Sequence, residues 1–236
     1  MDILTETKHL QNRLDDLRNS QMSIGLVPTM GYLHDGHLSL IRKARSENDA
    51  VVTTIFVNPL QFAETEDLDT YPTDIEKDTF LASEAGTDLL FTPTNEEMFC
   101  DDVLTTVSVQ EISTVLEGVS RPTHFSGVAT IVAKLFNIVG DCSAYFGEKD
   151  WQQIQVIKRM AQDLSYRVEI KGCPIIREKD GLAMSSRNVY LTKEQRKQAS
   201  HIPESLLKAH EKIKDGERQS SVCLLYTSDA ADDRGC

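Results

Sequence analysis

With 236 residues, the chain is long enough for one large domain, or for a large domain followed by a small one. Its 25 basic residues against 37 acidic ones give a formal charge of −12, which argues against a nucleic-acid surface but leaves room for a locally positive pocket that takes a small anion. Hydrophobic residues make up 40% and charged residues 26%, the balance of an ordinary globular protein. The longest apolar run, 128–139, is interrupted by Lys134 and Asn137 and falls short of the roughly 18 residues of a membrane span, so no membrane partner is expected. Residues 1–6 have neither the basic start nor the apolar centre of a signal peptide. Five cysteines (Cys100, Cys142, Cys173, Cys223, Cys236) show no C-x-x-C spacing, so they read as incidental thiols of a reducing compartment, and the chain is expected in the cytoplasm.

In chain order, residues 23–29 form a short apolar run that reads as a buried strand, and 38–45 have helical spacing with an apolar face. Residues 50–57 are rich in β-branched side chains and stop at the turn signal Asn58-Pro59. A charged helix is predicted around 74–84, a short strand over 88–91 before Pro93, and an edge strand over 105–109. Residues 128–139 fit a buried helix, 143–146 a strand, 151–164 a helix and 167–176 a strand again. Strand and helix taking turns with crossovers this long predicts a Rossmann-like α/β fold, a parallel sheet flanked by helices, over residues 1–174. The pattern then changes. A hairpin-type turn at Lys179-Asp180-Gly181 and a helix to about Lys214, opened by the capping-box pair Thr192 and Gln195, read as the start of a smaller α+β domain over 175–220. Residues 221–236 lack periodicity, read as translated adapter sequence, and are set aside from the fold.

Polar clusters gather just beyond the predicted strand ends, where open α/β sheets bind ligands. His34-Asp35-Gly36-His37 lies on the first strand-to-helix turn, where free N–H groups and the helix dipole favour phosphate. Asn58 to Phe62 follow the second strand, and Gly147-Glu148-Lys149-Asp150 with Gln152-Gln153 follow the strand at 143–146. Each also has a plain structural reading. H-x-x-H fits a surface pair or half a metal site, Gln61 a turn cap, residues 147–150 a tight solvated turn, and Ser185-Ser186-Arg187 a polar loop before the capped helix. Neither G-x-x-x-x-G-K-[ST] nor G-x-G-x-x-G is present, which argues against a P-loop and against a dinucleotide fold. What remains is a histidine turn at one end of the sheet and a Ser-Ser-Arg loop late in the chain, a pairing that belongs to enzymes that activate a substrate with a nucleoside triphosphate by attack at the α-phosphate.

Five stretches carry a closer resemblance: residues 27–37 (Val-Pro-Thr-Met-Gly-Tyr-Leu-His-Asp-Gly-His), 55–62 (Ile-Phe-Val-Asn-Pro-Leu-Gln-Phe), 121–125 (Arg-Pro-Thr-His-Phe), 146–153 (Phe-Gly-Glu-Lys-Asp-Trp-Gln-Gln) and 180–188 (Asp-Gly-Leu-Ala-Met-Ser-Ser-Arg-Asn). In this order and register the chain resembles the pantoate–β-alanine ligase (pantothenate synthetase) family as far as about residue 218. The resemblance implies ATP-dependent joining of pantoate to β-alanine through pantoyl adenylate, with AMP and pyrophosphate released. It implies that Met30, Gly31, Tyr32, Leu33, His34, Asp35, Gly36 and His37 line the ATP phosphates, with His37, His34 and Lys149 catalytic. Gly147, Glu148, Lys149 and Asp150 would form the nucleotide loop, Ile176 would contact adenine, and Met184, Ser185, Ser186 and Arg187 would form a second phosphate loop. Gln61 and Gln153 would hold pantoate, Gln61 also bordering β-alanine. Mg²⁺ would come with ATP, with no dedicated protein cage in the sequence, consistent with its being held largely by phosphates and water, and a homodimer is implied.

Two departures from the family stand out. Trp151 replaces the usual Phe or Tyr, and most of the small domain that closes over the nucleotide is expected to be missing. Two other readings stay open at this point. One is a nucleotidylyltransferase of related fold, and the other is a catalytically silent nucleotide-binding fragment.

Overall fold

The computed structural model describes residues 1–99 and 103–219. Contacts divide it into two compact units, Met1–Ile175 and a second beginning at Ile176. The first unit runs β1 (Asp2–Leu4), α1 (Thr7–Asn19), β2 (Ile24–Thr29), α2 (Asp35–Glu47), β3 (Ala50–Ile55), α3 (Ile75–Ala85), β4 (Leu89–Phe91), α4 (Asn95–Met98), α5 (Glu117–Ser120), α6 (His124–Val139), β5 (Cys142–Gly147), α7 (Trp151–Asp163) and β6 (Val168–Cys173). The second contains α8 (Lys193–Ala199) and α9 (His201–Lys214).

The six strands form one sheet in the order β1-β4-β3-β2-β5-β6, with every pairing parallel. Its central strands are apolar because both faces are covered. Alternate residues along each strand point to opposite faces and so divide the core in two. Leu26, Val52, Leu89 and Phe91 pack with Leu10 and Leu14 of α1 and with α6 and α7, whereas Val27, Val51, Leu90 and Tyr145 pack with Leu38, Ile41 and Ala44 of α2 and Ala82 and Ala85 of α3. Helix α6 is buried almost all round, as its near-continuous apolar sequence requires.

Chain order sets where a ligand fits. From β2 the chain steps outward through β3 to β4, then returns to place β5 on the other side of β2. The β2–β5 boundary is therefore the switch point, where connections leave in opposite directions and open a crevice beyond the carboxyl ends.

The structure departs from the predicted elements in four places. Residues 105–109 form no strand: Val107 N–H donates to Thr130 Oγ1 (2.9 Å) and its carbonyl accepts from Ser126 Oγ (3.3 Å), so side chains of α6 satisfy the backbone that a sheet would have used. Strand β6 ends at Cys173, before Pro174, which has no N–H to continue a ladder. The helix predicted from Thr192 to Lys214 is two helices, because Pro203 has no N–H for the carbonyl of Ala199 and fits only within the first turn of a new helix. Residues 2–19, unassigned above, supply the edge strand β1 and helix α1, whose Leu10 and Leu14 are fully buried. The expected foreign tail 221–236 lies outside the described residues, as does Cys100; Cys142 and Cys173 are free thiols. No helix among the described residues is long and apolar enough to cross a membrane.

Candidate active site

The turn after β2 is built from backbone that most residues avoid. Gly31 has φ +84° and Tyr32 φ +50°, both in the left-handed region. A Cβ on Gly31 would come within 3.0 Å of Asp78 Oδ2 and of Ile55 Cγ2, so only glycine lets those atoms close in. Asp78, 1% exposed on α3, accepts the N–H groups of Tyr32 (Oδ2) and Leu33 (Oδ1), each at 2.6 Å. Burial pushes its carboxyl above the usual carboxylate range, against the pull of those two hydrogen bonds. Thr29 Oγ1 closes the turn from inside, accepting from Gly31 N–H (3.2 Å) and donating to the Thr54 carbonyl (2.7 Å).

The chain then enters α2. His34 is its N-cap: Nδ1 accepts the Gly36 N–H at 3.1 Å, and the His34 N–H reaches His37 Nδ1 at 3.4 Å. This is a capping box made of two imidazoles, whose ring centroids lie 4.1 Å apart. An Nδ1 that accepts leaves the proton of a neutral ring on Nε2, so both histidines keep an Nε2–H donor at a helix N-terminus. Burial, then the neighbouring His34, then Lys149 hold the His37 pKa well below its ordinary 6.5. His37 is thus a neutral donor beside His34 and a lysine. Lys149 belongs to the single turn Glu148–Asp150 at the mouth of β5, where its Nζ lies 3.0 Å from Asp150 Oδ1. The turns after β2 and β5 accordingly meet across the switch-point crevice.

Gln61 closes the single turn Pro59–Gln61 that follows β3 and is only 9% exposed. Its Oε1 accepts from Asn58 Nδ2 (3.2 Å) and its Nε2 donates to Met30 Sδ (2.8 Å), which ties it to the histidine turn. Its carbonyl accepts from His124 Nδ1 (3.0 Å) and Arg121 Nη2 (3.4 Å), and Arg121 is itself held by both carboxylate oxygens of Glu66 at 2.6 and 2.7 Å. Glu66 and Glu117 hold Arg121 more firmly protonated than a free guanidinium. Of the glutamine pair opening α7, Gln152 is committed to the backbone of Ile112, Val115 and Glu117, whereas Gln153 makes no side-chain hydrogen bond among the described residues. A cleft of about 280 Å³ adjoins the start of the same turn, lined by Met30, Gly31, Phe56, Ile75, Asp78, Pro93 and their neighbours.

The structure therefore brings together the candidates of residues 30–37, Gln61 and 147–150, with Gln153 in the turn that follows. The remaining candidates belong to the second unit. There Met184 N–H donates to the Ile176 carbonyl (3.0 Å) beside the antiparallel bridge Arg177–Ala183, and Ser185 Oγ accepts the Arg187 N–H at 3.3 Å, with Ser186 buried. The sequence reading missed Asp78 and gave no role to Arg121 and His124. The sign for Asp78 was its spacing: it shares the buried face of α3 with Ala82 and Ala85, at i, i+4 and i+7.

Comparison with known proteins agrees with this geometry. The family model for pantoate-beta-alanine ligase matches residues 2–233, a span that reaches into the stretch read above as foreign. A pantothenate synthetase of Acetivibrio thermocellus is 52% identical over 229 residues, covering 97% of this chain and 82% of that protein. The crystal structure of the Thermus thermophilus pantothenate synthetase superposes with a TM-score of 0.93 at 46% identity, covering 99% of this chain and 83% of the other. The Francisella tularensis pantoate-beta-alanine ligase, described as complexed with beta-gamma ATP and beta-alanine, gives 0.83 at 38% identity over 97% of this chain and 85% of the other. The chain belongs to the pantoate–β-alanine ligase family.

Proposed function

We propose that this chain joins pantoate to β-alanine with ATP as co-substrate, by way of pantoyl adenylate. In the first step a pantoate carboxylate oxygen bonds to the α-phosphorus and the bond to pyrophosphate breaks. In the second, the β-alanine amine attacks the acyl carbon, AMP leaves, and the amine gives up a proton. Negative charge moves onto the phosphates in the first step, so the protein's task is to place donors where that charge appears. The observation that carries the reading is the imidazole capping box at the switch-point crevice, with its Nε2–H donors and Lys149 nearby.

In this reading His34, His37 and Lys149 bind the triphosphate together with the turn from Met30 to Gly36. Gly147, Glu148 and Asp150 hold the rest of the nucleotide, with Asp150 suited to ribose hydroxyls. Gln61 and Gln153 hold pantoate, and the two-sided anchoring of Gln61 supports an orienting role. Ile176, Met184, Ser185, Ser186 and Arg187 are assigned to the nucleotide on the family resemblance. Mg²⁺ enters with ATP, bound chiefly by phosphate oxygens and water. The cytoplasmic location rests on the thiol pattern, and the homodimer on the family.

The test is product formation by the purified chain given ATP, pantoate and β-alanine. AMP and pantothenate formed in equal amounts, with no pyrophosphate release unless pantoate is present, is the expected result. Pyrophosphate release that requires a phosphorylated acceptor in place of pantoate would make the chain a nucleotidylyltransferase. ATP binding without turnover would make it a silent module.

A further inference from the structure

Asp78 lies on α3, outside the segments that face the crevice, yet both of its carboxylate oxygens are spent on the histidine turn. They accept the N–H groups of Tyr32 and Leu33, the two residues just before the N-cap His34, at 2.6 Å each. Bonds of this kind to an ionised acceptor are about twice as strong as neutral ones. The turn needs such a hold, because Tyr32 carries a Cβ in the left-handed region and Gly31 beside it takes φ +84°. Gly31 in turn makes space for the carboxylate, since any Cβ there would crowd Asp78 Oδ2. The contact is tight from both sides. A buried carboxylate opposes folding unless hydrogen bonds compensate it, and here burial raises the pKa despite them. The fold thus keeps a carboxyl group buried at a cost, in the one place where it fixes the lead-in to His34 and His37.

We propose that Asp78 is a positioning residue for the ligase reaction: by clamping the N–H groups of Tyr32 and Leu33 it holds the left-handed turn from which the imidazole capping box is presented. The proposal rests on the reading of His34 and His37 as the phosphate-facing groups. An isosteric Asp78→Asn keeps one acceptor but replaces the other with an amide that cannot accept, so one of the two N–H groups loses its partner. The turn then relaxes and the imidazoles move by a fraction of an ångström or more.

A double-mutant cycle on kcat for pantoate-dependent adenylation, with Asp78→Asn, His37→Gln and the two combined, tests this. Misplacement of reacting groups by about 1 Å can cost 10²-fold, and a loss of that order in kcat is expected for Asp78→Asn, with KM for β-alanine little changed. The combined variant should be slowed by clearly less than the product of the two single effects, because the histidine already removed cannot be misplaced. Imidazole ¹⁵N signals of His34 and His37 in substrate-free Asp78→Asn should shift. Parental kcat in Asp78→Asn, unshifted imidazole signals, or a combined variant slowed by the product of the two single effects overturns the proposal. Should Asp78→Asn fail to fold, Asp78→Glu takes its place in the cycle with the same expected and overturning results, since it retains both oxygens but displaces them by a methylene. His37→Gln at the parental rate would sink the reading of the histidines itself. A slow His37→Gln beside an unaffected Asp78→Asn would remove only the role given to Asp78.

Discussion

The proposed chemistry leans most on one ring, His37. Its Nδ1 is turned toward the His34 N–H and its charge is suppressed by burial, His34 and Lys149, which suits it to the proposed role of a neutral donor to a polyphosphate. Losing one such preorganised donor should slow adenylate formation by roughly 10²–10³-fold in His37→Ala, read as the rate of pantoate-dependent pyrophosphate exchange. The same suppression has a consequence for stability. The unfolded chain protonates this ring as pH falls through 6.5, while the folded ring resists until much lower pH. Its contribution is therefore complete above pH 6.5 and is lost progressively as acid drives protons onto the unfolded state. Denaturant midpoints measured from pH 7.5 down to 4.5 should fall, and His37→Gln should flatten that fall. Identical slopes in the two proteins would contradict the neutral, half-buried ring. At this scale the histidines and Gln61 were legible in the sequence, because they stand beside strand ends in a recognisable order. Asp78 was harder to read. Several acids crowd α3, and only its shared face with Ala82 and Ala85 separates it from the solvated ones.

Among the elements, α6 does more than fill the core. Gly127 on α6 packs against the turn carrying Gln61: an added Cβ would fall 2.1 Å from the Leu60 carbonyl oxygen and 2.5 Å from the Gln61 nitrogen. The Gly127 carbonyl also accepts from Asn58 Nδ2 at 3.1 Å. Because backbone rather than a flexible side chain blocks the space, Gly127→Ala must push the Pro59–Gln61 turn away. Overpacking of this sort costs about 1–3 kcal/mol, visible in chemical denaturation, and the displaced Gln61 should raise KM for pantoate more than KM for ATP. Unchanged stability and KM would show that the turn is not seated on α6. The same helix explains the failed strand at 105–109. Its β-branched composition suits a sheet, but Thr130 and Ser126 offer its backbone partners first, and no local pattern announces a hydrogen bond to a residue about twenty positions away. Pro203, by contrast, was a readable stop signal within the predicted 192–214 helix.

For the whole molecule, strand order matters most, because it places the histidine turn and the Lys149 turn on opposite sides of one crevice. Alternation of strand and helix gave away the parallel sheet, whereas the order β1-β4-β3-β2-β5-β6 depends on pairings between distant segments that periodicity does not encode. Stability of this sheet is separable from its chemistry. Leu14, fully buried on α1 within the α6 and α7 side of the core, should cost about 2–5 kcal/mol as Leu14→Ala while leaving both KM values in place. A changed KM in that variant would mean that α1 helps shape the site. The location of the nucleotide is decided most directly by a crystal of this chain soaked with a non-hydrolysable ATP analogue and pantoate. The triphosphate is expected at the N-terminus of α2, within hydrogen-bond distance of Nε2 of His34 and His37, with the pantoate carboxyl group against Gln61. Phosphates lodged in the 280 Å³ cleft beside Ile75 and Pro93, or imidazoles turned away from them, would contradict it.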